Sequence, residues 1–144
     1  MRLVSLVVFL AACGRLEATP ESDRNAVTAT VQLYFRGHAT GDGAYFKKAF
    51  HPEAKLFSVK DGALAQKTAA EFVAGASGKP AADEAKRLRK IMLVDVTGDT
   101  AIAKVELDYP GNRIIDYLSL LKVDGRWVVI NKIFYRVPAV PSRT

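Results

Sequence analysis

The sequence predicts an α+β domain, with helices packed on one face of a curved antiparallel sheet. Three observations carry that prediction. Val27, Val31, Tyr34, Phe35 and His38 recur at helical spacing near the front of the chain. Asp61-Gly62, Gly98-Asp99 and Asp124-Gly125 each separate two strand-like runs by two turn residues, the strongest short hairpin signal. The order is helix, helix, strand pair, helix and then four long strands. Segregating helices from strands in this way is the α+β plan rather than the alternating α/β one. A chain of 144 residues, 49% hydrophobic and 25% charged, has enough length and apolar content for one domain with a real core.

The elements follow in order. Thr19 before Pro20-Glu21, or Ser22 before Asp23, can cap the first helix, with acidic groups in its first turn. Gly37 inside that helix costs about 1 kcal/mol against Ala, which a close approach of another group would explain. Gly41 stops it. Asp42-Gly43 opens a short second helix carrying Tyr45, Phe46, Ala49 and Phe50, and Pro52 ends it. Residues 54–59 and 63–67 alternate as a hairpin. Thr68 with Glu71 three residues on is a capping box for a third helix over 68–76. Residues 77–86 form a connection containing Gly and Pro, with room for a helical turn. Residues 90–97, 100–109, 113–123 and 126–136 then run as antiparallel strands, with Pro110-Gly111-Asn112 as a turn.

A two-residue turn at Asp124-Gly125 sets the register of the last hairpin. It places Asp116 opposite Ile133, Leu118 opposite Asn131, Leu120 opposite Val129 and Ile114 opposite Tyr135. One face then holds Ile114, Asp116, Leu118, Leu120, Trp127, Val129, Asn131, Ile133 and Tyr135. The other holds Ile115, Tyr117, Ser119, Leu121, Val128, Ile130, Lys132 and Phe134. A sheet apolar on both faces needs cover on both. Helices cover one, so a second copy on the outer sheet face, a homodimer, is the expected cover for the other. Asp116 in an apolar wall must be kept protonated or given a specific donor. Asn131 on the diagonal is one donor, with Tyr34 and His38 converging from the covering helix. The alternative is that Asp116 caps backbone groups or pairs with a Lys or Arg.

Composition narrows the function classes. Lys+Arg is 21 and Asp+Glu 15, a formal charge of +6. The basic charges are scattered, and the densest run, Lys86-Arg87-Leu88-Arg89-Lys90, follows Asp83 and Glu84. A nucleic-acid surface needs a larger face of one sign with aromatics for stacking, so no nucleic-acid partner is expected. A solvated segment, or one attracted to anionic headgroups, fits better. One cysteine and two histidines point to no disulfide framework, no metal centre and no cofactor. Met1-Arg2 leads into a run of ten residues, Leu3 to Ala12, too short to span a bilayer but of signal-peptide length. Leu10-Ala11-Ala12-Cys13 resembles a bacterial lipobox, which implies cleavage before Cys13 and its lipidation. The expected organisation is a leader at 1–12, a tether at 13–22, the domain at 23–137 and a loose tail at 138–144. The expected address is the periplasm or the outer membrane as a lipoprotein held by its lipid alone; ordinary signal cleavage would give a soluble secreted form. Cleavage leaves 20 basic against 15 acidic residues, a balance of +5.

Four segments together carry a family resemblance. They are Ala29-Thr30-Val31-Gln32-Leu33-Tyr34 leading to Gly41-Asp42, Ala49-Phe50-His51-Pro52-Glu53-Ala54, Ile115-Asp116-Tyr117-Leu118-Ser119-Leu120, and Asp124-Gly125-Arg126-Trp127. In this order and spacing, over residues 24–137, they resemble the nuclear transport factor 2-like superfamily. The branch they look most like is that of the Putative lumazine-binding, SnoaL-like bacterial proteins. The resemblance implies a cone-shaped, cystatin-like roll, with a curved sheet around a pocket closed by N-terminal helices, and frequent dimers. The superfamily holds ketosteroid isomerase, which uses an Asp base with a Tyr and a protonated Asp as oxyanion hole. Tyr34 and Asp116 stand at the oxyanion positions of that pattern. The base position falls at or near Ser58, and a serine without a neighbouring base cannot take a proton from carbon near neutral pH.

The expected function is therefore a small-molecule-binding domain for an apolar or heterocyclic ligand. The expected contacts are Tyr34, His38, Phe50, Phe57, Asp116, Leu118, Trp127, Asn131 and Tyr135. The alternatives are a small isomerase, dehydratase or cyclase using Asp116, Tyr34 and His38 as catalytic groups, or an envelope module that binds another protein. His51, before Pro52, reads as a turn or surface histidine, and Trp127 as a core residue first.

Overall fold

Thr19 opens the first helix: its hydroxyl accepts from the Ser22 N–H at 3.2 Å, and Pro20, whose missing N–H costs nothing there, takes the first helical position. The computed structural model describes residues 19–138. The expected leader, Cys13 and most of the expected tether and tail lie outside the described residues. Helix α1 is Pro20–Thr40, closed by Gly41 in the left-handed region at φ 69°, whose N–H reaches Gly37 O at 3.0 Å. Gly37 permits the close approach its position suggested, because a Cβ there would run into the ring of Phe46. Helix α2, Gly43–Ala49, is capped by the Asp42 carboxylate accepting from Ala44 N at 2.8 Å.

Strand β1, Phe50–Lys60, starts as soon as α2 ends. It therefore includes Pro52, which falls where pairing with the neighbouring strand is interrupted between Phe50 and Lys55. β1 turns through Asp61 and Gly62, both at positive φ (51° and 79°), into β2, Ala63–Thr68. Thr68 caps α3, Ala69–Ala74, with both bonds of the capping box formed. A helical turn at Glu84–Lys86 precedes β3, Leu88–Thr97, which pairs with β4, Thr100–Tyr109. β5, Asn112–Val123, and β6, Arg126–Val137, join through Asp124 and Gly125, again both at positive φ (49° and 75°).

The six strands lie in the order β2-β1-β6-β5-β4-β3. The expectation of an antiparallel sheet needs one correction: β1 and β6 pair in parallel, so the sheet is mixed. Three successive hairpins fix the direction of β6, and the helices before β1 fix its direction. The two coincide when the first hairpin closes onto the last strand. Val27, Val31 and Tyr34 of α1 bury fully against Val105, Leu107, Leu118, Leu120 and Val129. Each such aliphatic side chain stabilises the fold by roughly 1.5–3 kcal/mol.

The second correction is one of register. Val123 faces Arg126 and Leu120 faces Val129, as the turn requires. Ile130 is then an extra residue, and beyond it Ser119 faces Asn131, Leu118 faces Lys132 and Asp116 faces Phe134. This β-bulge moves every later side chain of β6 to the opposite face. Lys132, Phe134 and Arg136 share the inner face with Asp116, while Asn131, Ile133 and Tyr135 share the outer one. Tyr117, Ile133 and Tyr135, with Val59 and Leu64, are exposed there.

Candidate functional site

The bulge places Lys132 beside Asp116. Asp116 is fully buried and Lys132 is 5% exposed. The Lys132 ammonium reaches Asp116 Oδ1 at 3.2 Å and the Tyr34 hydroxyl at 3.0 Å, while Tyr34 donates to Asp116 Oδ2 at 2.6 Å. Asp116 thus takes its donors from a lysine and a tyrosine, not from Asn131, which the bulge turns outward. Burial pushes the Lys132 ammonium below the usual lysine range, although the Asp116 charge pulls the other way. Burial, reinforced by the Asp116 charge, raises the Tyr34 phenol well above its ordinary value, so it stays protonated.

A cavity of about 200 Å³ lies beside this triad, walled by His38, Leu56, Phe72, Leu107, Lys132 and Phe134. Ser58 also lines it, and Gln66, Lys67 and Arg136 stand at its exposed rim. The His38 ring meets Tyr34 edge-on at 4.6 Å and Phe46 at 5.1 Å. Its Nε2 is out of solvent reach and has no hydrogen-bond partner among the described residues. Burial first, then the charges of Lys132, Arg89 and Arg87, lower the His38 pKa to about 3, so the imidazole is neutral near pH 7. The arrangement offers a neutral imidazole, an ammonium and apolar ring surface to one small volume.

The other expected contacts separate into three groups. Phe50 and Leu118 are buried in the core beside the triad without lining the cavity. Trp127 is buried at the far end, its indole N–H donating to Asp23 at 2.9 Å. Phe57 and Tyr135 line a groove on the outer face with Tyr117 and Ile133. Tyr34 and Asp116 do not line the cavity. The tyrosine proton is directed at Asp116, so the two bond to each other, and Lys132 stands between them and the cavity. His51 turns its Nδ1 to the Glu53 N–H at 3.2 Å, the turn-bonding role. The basic run is folded back on the protein: Arg89 forks onto Glu84 at 2.6 and 2.9 Å, and Arg87 pairs with Asp83 and lies 4.4 Å from the Tyr109 ring centre.

Lys132, Phe134 and Arg136 are the lining residues that the uninterrupted register hides. One signal could have found Lys132. A buried Asp116 calls for a cation, and a slip of a single residue in β6 supplies one. Among the described residues, no group of three or more His, Cys, Asp or Glu is placed to hold a metal, and no helix is long and apolar enough to cross a membrane.

Comparisons with known proteins agree with this fold. An NTF2-like protein from Shewanella baltica OS155 is 26% identical and superposes with a TM-score of 0.76, over 84% of this chain and 98% of that one. An NTF2-like protein from Silicibacter pomeroyi DSS-3 is 27% identical with a TM-score of 0.73, over 83% and 99%. A curated protein named Aldolase FrzH, from Cladobotryum sp, is 28% identical over 81% of this chain and 94% of its own length. The sequence profile of the family described as Putative lumazine-binding matches residues 22–135. The chain belongs to that family, within the nuclear transport factor 2-like superfamily.

Proposed function

We propose that this is a small-molecule-binding domain whose ligand, an uncharged and largely apolar heterocycle, occupies the cavity beside His38 and Lys132. One observation carries the reading: the rings of His38, Phe72 and Phe134 and the buried Lys132 ammonium wall one cavity. Apolar ring surface around a few polar groups is the make-up of a small-molecule site. A neutral imidazole suits an uncharged ligand, and the lysine suits a carbonyl oxygen or ring nitrogen. About 200 Å³ lies below the roughly 300–1,000 Å³ of drug-sized pockets, so a single or fused ring suits it better than a steroid. The description of the family points to the same chemistry.

The test is mass spectrometry of whatever is released when the purified protein is denatured. A defined heterocycle held by the wild type and lost from His38→Phe is the expected result. Nothing enriched over an unrelated control protein would defeat the reading. Two further parts of the proposal have their own tests. Export and lipid anchoring at Cys13 require that Cys13→Ser release the protein from membranes. A homodimer through the Tyr117, Ile133 and Tyr135 face requires a dimer in sedimentation, reduced to a monomer by Ile133→Lys.

A second reading, a small acid–base enzyme, is favoured by the relative named Aldolase FrzH. In that reading His38 is the base, with Asp116 and Tyr34 acting through Lys132. It requires turnover of a carbonyl substrate that His38→Phe abolishes.

A further inference from the structure

We infer that Lys132 is a nucleophile toward aldehydes and ketones, forming an iminium link to a carbonyl compound held in the cavity. The inference rests on the reading of that cavity as a small-molecule site and goes further by naming the functional group of the ligand and the atom that captures it.

Four observations carry it. Lys132 lines the cavity and is itself almost wholly buried, so its amine meets a ligand in an environment from which water is largely excluded. Its ammonium has three N–H bonds and makes two hydrogen bonds among the described residues, to Asp116 and Tyr34, leaving one N–H without a protein partner. Asp116 at 3.2 Å is a proton acceptor already in place. The rings of Phe72 and Phe134 flank the ammonium at 5.4 and 4.6 Å, a surface on which an aromatic carbonyl compound can lie. A lysine desolvated in an apolar pocket is the usual means of activating an amine for this chemistry, and burial lowers the pKa of Lys132 in that sense.

The step balances without a further reagent. The ammonium passes one proton to Asp116, and the freed lone pair of Nζ attacks the carbonyl carbon, opening the C=O bond to the oxygen. The amine gives up its next proton to the carbinolamine oxygen. Asp116 then returns the proton it took to the same oxygen, the C–O bond breaks, and water leaves. One ammonium and one carbonyl compound become one iminium and one water. The charge on nitrogen is +1 before and after, so the buried Asp116 carboxylate has a cationic partner at both ends of the step. The His38 ring is part of the same cavity lining, where the ligand can pack against it.

The experiment uses benzaldehyde with cyanoborohydride, which reduces an iminium to a stable amine, followed by peptide mapping. In the purified wild type, Lys132 is expected to label ahead of the surface lysines, since burial leaves more of it as the neutral amine. The labelling is expected to saturate with aldehyde and to be slowed by benzyl alcohol, which fits the same space but has no carbonyl. In Lys132→Arg, which keeps the charge opposite Asp116 but cannot form an iminium, the fast phase should vanish while circular dichroism shows the fold retained. Labelling confined to the surface lysines, with Lys132 spared, overturns the inference. If benzyl alcohol binds in that case, the cavity still stands as a small-molecule site and only the covalent chemistry falls; if it does not, both readings lose their support.

Discussion

Two aspartates in this domain are each held by a lysine and an aromatic donor, at opposite ends of one helix. Near the start of α1, Asp23 accepts from Lys122 at 2.8 Å and from the Trp127 indole at 2.9 Å. Eleven residues on, or ~16 Å of helical rise, Tyr34 and Lys132 serve Asp116. The partners are alike, but their surroundings differ. Asp23 and Lys122 keep part of their surface in water, and the lysine and indole hold the Asp23 carboxyl below its usual range. Asp116 and Lys132 have almost none, and burial lowers the lysine pKa in spite of its partner. In the buried cluster desolvation outweighs attraction. That is the signature of a pair which contributes little net stability and yet cannot be broken cheaply. The outer cluster fastens the helix to the sheet; the inner one stores reactive groups beside a cavity.

The largest expected effect breaks the inner cluster on one side. Asp116→Ala should cost about 3–5 kcal/mol in urea denaturation, because Lys132 is left as an unmatched buried ammonium. The double variant Asp116→Ala, Lys132→Met removes both charges and should recover most of that loss. A double variant as unstable as the single one would mean that the pair is a fastener like the outer one.

Gly37→Ala comes next. It presses a methyl group against the Phe46 ring, which itself packs on Tyr34 and His38. Overpacking costs about 1–3 kcal/mol, and a gain of about 1 kcal/mol in helix propensity offsets part of it. A net loss of stability, with the His38 environment shifted in NMR spectra, would locate the strain at the inner cluster. An unchanged His38 signal would remove Phe46 from its support.

His38 makes the inner end sensitive to acid. Its folded pKa, about 3, lies below the ordinary 6.5, so in this window the unfolded chain binds the proton and the folded one does not. The stability is complete above pH 6.5 and is lost as pH falls toward 3, by about 1.4 kcal/mol per pH unit. His38→Phe should flatten that slope. The difference is best read between pH 6.5 and 4.5, above the range in which carboxylates such as Glu71 add their own losses. Parallel slopes in the two proteins would show that the imidazole is accessible to water.

The same contrast explains what was legible in the sequence. Turns and caps are local chemistry: Asp61-Gly62, Asp124-Gly125 and the Thr68–Glu71 box each state their geometry in a few residues, and each forms as read. Helical spacing puts Tyr34 on the covering stripe and strand alternation puts Asp116 on the inner face, and the two meet at 2.6 Å. The Ile130 bulge was not legible, because the run from Val128 to Tyr135 is apolar on both parities. Hydrophobic alternation therefore favours neither register, and the pairing of Asp116 with Lys132 is satisfied in only one. The parallel contact of β1 with β6 was equally hidden, since it joins strands about 75 residues apart through no turn of their own.

The smallest expected effect comes from the outer cluster and is the sharpest test of the contrast. Asp23→Asn keeps the shape of the side chain and an oxygen for the Trp127 N–H, and removes only the charge opposite Lys122. Its cost should fall below that of Gly37→Ala, because an ion pair in contact with water loses much of its attraction to screening. In about 1 M salt, where the screening length is about 3 Å, what remains of that cost should largely disappear. The cost of Asp116→Ala should be the same in dilute and concentrated salt, since ions do not enter the core around it. Equal salt sensitivity at the two aspartates would mean that water reaches Lys132. Lys132 would then be neither desolvated nor a favoured nucleophile, and the two clusters would not differ in kind.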